Sequence, residues 1–558
     1  MTTYTLTLID VRRVQNYLFN ANELRQNLGA SLLVEQATHE WIIKCLPEKH
    51  NLEWEPASYR LKFKEKTIEG DDLDAEVIFM GGGNAAILFS SLPNAVAFTQ
   101  RYTRHVLLNA PGLEVAVGHT EVDWGQEDGL KTAWEKMQTE ITPARKEGRA
   151  VSQMLPGISV TAECAFTGLP AIEDMRKLPD RTDPLVLVSA EVRAKREPKT
   201  IETAKARLNK LLPAQKPFAY TDDLEKLGGE KGRSRFIAVV HADGNEMGRR
   251  VNGILKNISG NRERVEEWRK LSNKINDSGL KAMEAVTDWL RNAIRLDEET
   301  GGYMLKDQWG GDAIRYREDE DDDVIYLPIR PIVFGGDDIT FVCEGRLGIA
   351  LAIRFLEAFY AQNSLRDGKL YACAGVAIVH HNYPFARAYK LAEDLCKEAK
   401  RQAREYDDPK KQASLIHWHI STSGLTLDWD DIHRREYQVD AGDLLLRPLI
   451  VNKADKVTAM ETGWRTWKVF EHQVKEFRQG DAWKGRRSKL KELRETLRQG
   501  PFAVQEFTRV QGSLPKVIDN PEPDTTGWYG TRCVYFDALD TDDWLIYPQD
   551  GKEDTPDA

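Results

Sequence analysis

The sequence predicts an α+β chain in which one unit, an antiparallel sheet with helices packed on one face, occurs twice and is followed by a helical region. Three observations carry this. The order strand–helix–helix–strand–glycine turn–strand–helix–strand runs once from the amino terminus and again from Phe236. In each copy two apolar strands flank a turn of adjacent glycines, whose freedom at positive φ suits a tight hairpin. Beyond residue 430 apolar and aromatic residues recur at helix spacing instead.

The first copy opens with a near-alternating strand at Tyr4–Ile9, followed by helical stretches from Val11 through Leu24 and from Ala30 to Leu46. Its hairpin runs Glu76–Met80, Gly81–Asn84, Ala85–Phe89, and a helix over Ala95–Leu108 leads to a strand at Leu113–Val117. The second copy repeats this with strand Phe236–Val240, a long helix over Val265–Arg295, strand Pro331–Phe334, turn Gly335–Asp338 and strand Ile339–Cys343. Helix 347–363, strand Tyr371–Ile378 and helix Pro384–Arg404 complete it. This element order is that of a ferredoxin-like core. Between the copies, Leu130–Lys146 reads as a helix, Gly157 as part of a loop, and Lys195–Lys231, rich in Lys, Pro and Gly, as a connecting segment. Leu444–Met460, Trp464–Phe477, Lys489–Leu497 and Phe502–Thr508 read as helices. The expected division is 1–125, 126–232, 233–425, a helical domain at 426–512 and an acidic tail at 513–558.

A chain of 558 residues exceeds one core and fits several domains. No apolar run approaches the ~20 residues of a membrane helix, and the start carries no basic region followed by an apolar one. The expectation is a cytoplasmic protein with no membrane association. The net charge of −10 argues against a surface built wholly for duplex nucleic acid. Six scattered cysteines with no C-x-x-C pair read as buried thiols, so no zinc is expected. The acidic run Asp312–Asp323 and the basic stretch Lys484–Lys491 read as solvated surface.

The chemistry concentrates in the second copy. Asp243 follows an apolar strand, and Asp337 and Asp338 sit on the turn between two others, so a ferredoxin-like sheet makes them neighbours. Hard carboxylate oxygens are what two Mg²⁺ or Mn²⁺ ions need in nucleotidyl transfer, in which a 3′-hydroxyl attacks an α-phosphate and pyrophosphate leaves. Asp243 and Asp337 are expected to bridge the ions and Asp338 to complete one shell. Gly335 and Gly336 allow the tight turn, and Gly244, Asn245 and Gly248 are candidates to offer backbone N–H groups to phosphates. Lys397, Lys400 and Arg404, near one helix end, are candidates to hold the triphosphate. Taken alone, the Gly-Gly-Asp-Asp tetrapeptide is also an ordinary turn composition, and Lys400 equally suits a surface ion pair. The first copy reads Gly82-Gly83-Asn84-Ala85 against Gly335-Gly336-Asp337-Asp338, with Asp10 close to where Asp243 stands; it is expected to be inactive, kept for packing or as a second nucleotide pocket.

VVHADGNEMGRRV, IVFGGDDITFV and ACAGVAIVHHNYPFARAYKLAEDLCKEAK resemble the second palm domain of the large polymerase-cyclase subunit of type III CRISPR effector complexes. LIDVRRVQNYLFNANELRQNLGASLLVEQ and VIFMGGGNAAILF are similar to that family's first palm domain, and CAFTGLPA from Cys164 resembles a remnant of its zinc module. The resemblance implies an enzyme making cyclic or short oligoadenylates from ATP in antiviral defence, with Asp243, Asp337 and Asp338 as metal-binding acids and Lys400 near the triphosphate. It also implies partner effector subunits with guide and target RNA, while a complete set of palm elements permits a stand-alone or homodimeric enzyme. No His-Asp dipeptide occurs, so the family's HD nuclease activity is not expected. Two alternatives stand beside this reading: a cyclase that uses GTP, and a catalytically silent scaffold binding nucleotide or RNA.

Overall fold

In the computed structural model of the chain, residues 2–55, 60–141, 161–174, 186–227, 236–298, 301–311, 313–316, 324–362, 365, 368–404, 412–422, 428–453, 464–517 and 522–549 are described. The expected loop around Gly157 and most of the acidic run before Val324 lie outside them.

The first unit comprises β1 (Thr3–Arg12), α1 (Leu24–Thr38), β2 (Ala75–Gly81), β3 (Asn84–Phe89), α2 (Leu92–Asn109) and β4 (Glu114–Asp123). Its sheet has the order β2-β3-β1-β4, antiparallel throughout. The linking region contains α3 (Pro198–Leu211), preceded by a short helix at Ala190–Arg196. Lys195–Lys231 is therefore not a plain connector. Pro198 stands in the first turn of α3, where a missing N–H does no harm, so its presence marked a helix start.

The second unit comprises β5 (Phe236–Gly244), α4 (Met247–Lys256), α5 (Asn261–Ala293), β6 (Ile329–Gly335), β7 (Asp338–Glu344), α6 (Gly348–Ala361), β8 (Ala372–His380) and α7 (Phe385–Arg404). Two more strands, β9 (Ala413–Ser421) and β10 (Leu449–Lys453), extend it to the order β6-β7-β5-β8-β9-β10. The first four strands repeat the order of the first sheet, so the duplication expected from element order is present in the topology. β9 pairs parallel to β8 and the other neighbours are antiparallel.

Several expectations change here. Leu449–Lys453, inside the segment read as a helix over Leu444–Met460, is a strand; a short buried apolar run does not distinguish the two by periodicity. Because β10 belongs to the second sheet, a boundary at residue 425 cuts through a domain. The helices do not share one face. An ideal Cβ on Gly348 of α6 would lie 2.3 Å from Ala238 Cβ, whereas one on Gly375 of β8 would lie 2.0 Å from the Ala392 carbonyl oxygen of α7. Ala238 and His241, the register partner of Gly375, point to opposite faces of β5, so α6 and α7 sandwich the sheet.

The carboxy-terminal region contains α8 (Trp467–Gln479), α9 (Arg487–Arg498) and α10 (Pro501–Gln511), much as the periodicity predicts. Residues 513–517 and 522–549 are not a solvated tail. Asp537 is fully buried and pairs with the equally buried Arg447, accepting also from the Arg447 N–H at 2.8 Å. Tyr547 stacks on Trp309 with centroids 4.6 Å apart.

The two units interlock. Each long helix reaches the outer strand of the other copy: α5 packs on β2 and α1 on β6. Glu76 of β2, wholly buried, accepts from Arg262 at 2.6 and 2.8 Å and from Arg269 at 3.1 Å, both on α5. Its fourth contact is the Ile68 N–H at 2.9 Å. Burial alone would push this carboxyl up, but its bonds to Arg262 win and hold it below the ordinary glutamate range. Trp268 of α5 stacks on Phe79 of β2. Reciprocally, Ser31 of α1 donates to the Ile332 carbonyl of β6 at 2.5 Å.

Candidate active site

The second sheet ends in the three expected carboxylates. Asp243 and Asp338 are register partners across β5 and β7, so their side chains leave the same face, and Asp337 occupies the turn beside them. The turn is held back onto β5 by the Gly244 N–H, which donates to the Asp337 carbonyl at 3.0 Å. Gly244 is also where the Asp337 side chain lies: a Cβ there would meet Asp337 Cβ at 2.7 Å and Oδ2 at 2.9 Å. Gly336 has φ 73°, which accounts for one of the two turn glycines.

The grouping is electrostatically crowded. Burial first, and then the Asp243 charge, raise both the Asp337 and Asp338 carboxyls to about 7. Asp338 Oδ1 is buried without a hydrogen-bond partner. His241 sits behind it, its Nδ1 3.2 Å from Thr340 Oγ1 and 3.5 Å from Asp338 Oδ1. Burial brings the His241 imidazole down to about 4, so it is neutral at pH 7 and no counter-charge.

The cation that does reach the acids is Lys400, 2.5 Å from Asp243 Oδ2 and 2.9 Å from the Gly244 carbonyl. Its position follows from helix spacing. The apolar stripe Ala388, Leu391, Ala392, Leu395, Cys396 and Ala399 seats α7 on the sheet, and Lys400 lies one turn after Cys396. Gly375 permits the close approach, since any side chain there would strike the α7 backbone. Burial works against the Lys400 charge, but Asp243 wins and holds its ammonium above the ordinary lysine value.

Other candidates fall elsewhere. Lys397 pairs along its own helix with Glu393 at 2.8 Å, and Arg404 reaches Glu246 at 3.5 Å. The Gly244 and Asn245 N–H groups are not offered to phosphate: the first bonds Asp337 and the second the Tyr371 carbonyl at 2.8 Å. Asn245 is instead a buried staple, its side chain donating to the Ala413 carbonyl. Gly248 stands in the first turn of α4, where N–H groups have no partner within the helix.

Two residues at the site escaped the sequence reading. Asn276 Oδ1 accepts from the Gly336 N–H at 2.9 Å, and an ideal Cβ on Gly279 would lie 2.0 Å from the Gly336 carbonyl oxygen. The available signal was a glycine inside an otherwise continuous helical pattern.

The first copy differs in register from the sequence alignment. Gly81 pairs Asn84 just as Gly335 pairs Asp338, and the Val11 N–H donates to Gly83 as Gly244 does to Asp337. The equivalent turn is thus Gly81-Gly82-Gly83-Asn84, one residue earlier than expected. Asn84 answers to Asp338, Gly83 to Asp337, and Asp10, paired with Asn84, to Asp243. With its amide nitrogen turned inward, Asn84 donates to Asp10 Oδ1 at 2.7 Å.

This geometry has counterparts among known proteins. Residues 236–407 match the family model described as Cas10/Cmr2, second palm domain. The second copy is similar to a Cas10/Cmr2 palm. No curated relative matches the chain. Among solved structures, the Csm1-Csm4 cassette in complex with cA4 is similar at a TM-score of 0.53 and 13% identity, over 96% of this chain and 69% of that one. The cassette in complex with one ATP gives 0.48 and 14%, over 98% and 70%. The first of these shows a shared α+β fold across nearly the whole chain.

The palm acids suit divalent metal in kind: three carboxylates, one with an orphaned buried oxygen. Among the described residues no three His, Cys, Asp or Glu side chains are already gathered as a metal cluster. Lys400 takes up part of the Asp243 charge instead. No helix among the described residues is long and apolar enough to cross a membrane.

Proposed function

We propose that this Cas10-like chain is a metal-dependent nucleotidyltransferase that joins ATP into short linear or cyclic oligoadenylates within a CRISPR effector complex. The observation that carries the reading is the convergence of Asp243, Asp337 and Asp338 at one end of the palm sheet. Two of these carboxyls are raised to about 7 by burial and mutual charge, an arrangement that a bound dication relieves. That the similar cassette is seen with cA4 and with Csm4 supports adenine nucleotides and a partner subunit.

In this reading Asp243, Asp337 and Asp338 hold the ions, Mg²⁺ or Mn²⁺. Bound there, divalent metal lowers the pKa of the attacking 3′-hydroxyl and offsets charge on the leaving pyrophosphate. Lys400, already at the cleft, supplies a further positive charge to the triphosphate once its hold on Asp243 is shared. The first N–H groups of α4 face the same end of β5 and suit phosphate oxygens. The first palm, with one acid satisfied by Asn84, is assigned a non-catalytic place and the acceptor nucleotide.

A nucleotide-binding scaffold is the second reading, favoured by the Lys400–Asp243 pair, which stabilises the acids without metal. Labelled ATP and GTP incubated with the chain and Mg²⁺ or Mn²⁺, with and without RNA and partner subunits, separate the two. Oligoadenylate and pyrophosphate, absent from the Asp337→Ala/Asp338→Ala variant, are expected. ATP binding without product under every condition would establish the scaffold.

A further inference from the structure

We infer that α5 is the seat of the Gly-Gly-Asp-Asp turn, with Gly279 and Asn276 as positioning residues that fix where the palm acids point. The proposal rests on the reading of the acids above only for its metal readout. The contacts are specific to one peptide unit. Asn276 Oδ1 accepts from the Gly336 N–H at 2.9 Å, while the absent side chain of Gly279 leaves room for the Gly336 carbonyl, which an ideal Cβ would approach to 2.0 Å. Both polar groups of Gly336 are thereby set against one helical turn, with Asp337 next in the chain.

The choice of residues makes sense only in these terms. Glycine in a helix interior is destabilising relative to alanine. Gly279 is buried in the middle of a 33-residue helix, where helix stability favours any other small residue. Among the described residues the first palm has no counterpart: no side chain accepts from the Gly82 N–H, and Asn84 stands where the second acid would be. The seat accompanies the acids.

The same helix is anchored outside the second palm. Asn261 Oδ1 accepts from the Leu130 N–H, and its Nδ2 donates to the Trp124 and Gln126 carbonyls, in the segment that directly follows β4 of the first unit. Arg262 and Arg269 grip Glu76. From these anchors to Gly279 the helix is continuous, so α5 references the catalytic turn to the body of the first palm.

The test compares Asn276→Ala, Asn276→Asp and Gly279→Ala with the wild-type chain by hydrogen–deuterium exchange over 333–341, with Mn²⁺ affinity and thermal midpoint alongside. Asn276 is exposed, so its variants keep the fold even if Gly279→Ala does not. Asn276→Ala is expected to speed exchange of the turn about fivefold, the equivalent of one net hydrogen bond, with an unchanged midpoint. Asn276→Asp, which keeps the acceptor, restores wild-type exchange. Gly279→Ala, if folded, is expected to speed exchange and weaken Mn²⁺ binding about tenfold while helix content is kept. Turn exchange at the wild-type rate in Asn276→Ala overturns the proposal. If the wild-type chain binds no Mn²⁺, the metal reading of the acids fails, and exchange alone still decides the seat.

Discussion

The two palms share strand order, hairpin register and the hydrogen bond that closes the turn, yet handle the charge at that turn in opposite ways. In the first, Asp10 faces Asn84, whose amide meets its carboxylate at 2.7 Å. In the second, Asp243 faces Asp338, and the nearest relief is Lys400, from another helix. The residues behind the acids change in concert. Where the first palm has Val11 and Gly83, the second has Gly244 and Asp337, because a side chain at 244 and the one at 337 would occupy the same space. One copy is closed by its own hydrogen bonds; the other keeps negative charge that Lys400 only partly offsets, the difference on which the proposed function rests.

Substitutions that move one palm toward the other test this contrast. The largest effect on stability is expected where both depend on each other. Glu76→Ala leaves the half-buried Arg269 without a carboxylate, Arg262 with Glu69 alone, and the Ile68 N–H unpaired, and should cost about 3 kcal/mol in urea unfolding. Because the Glu76 carboxyl lies below its ordinary value in the fold, its contribution is complete above that ordinary value and is lost as pH falls through the folded one. A Glu76→Ala chain as stable as wild type would mean the palms dock without this anchor.

Next comes Gly244→Ala, which drives a methyl into Asp337 and should destabilise by about 1–3 kcal/mol while abolishing metal-dependent product. Val11→Ala, at the equivalent place, should leave product formation unchanged. Asn84→Asp sets two carboxylates opposite one another with no dication expected, and a loss of about 1–2 kcal/mol is anticipated; a gain of Mn²⁺ binding instead would make the first palm a latent second site. The smallest effect is of opposite sign. Asp338→Asn copies the first palm and should stabilise the metal-free chain by about 1 kcal/mol, the shift being discounted because nearly half of that side chain meets solvent. Calorimetry in chelator reads this directly, and a destabilised variant would contradict the charge crowding.

Much of this was legible in the chain. Asp243, the second hairpin and the repeated element order are local patterns of strand, glycine and carboxylate, and they lie where the sequence placed them. What escaped depends on contacts across space. The first hairpin was displaced by one residue because three consecutive glycines allow two turns, and only pairing with β1 selects between them. Lys397 and Lys400 look alike in sequence, but only the second follows the buried stripe of α7. Asn276 is an unremarked polar residue on a helix until the turn it holds is folded against it. The strand at Leu449–Lys453 was invisible for a related reason: its apolar run is short, and its partner lies some thirty residues earlier.

That strand has a practical consequence for anyone wishing to isolate the palm. A fragment ending at residue 407, the limit of the family match, would strip β9 and β10 from the sheet. It would leave β8, Ala-Cys-Ala-Gly-Val-Ala-Ile-Val-His, as a bare apolar edge with a row of unpaired N–H and C=O groups, a template for aggregation. Such a fragment should precipitate or form oligomers in size-exclusion chromatography, whereas one that continues through β10 and its helical support should remain monodisperse.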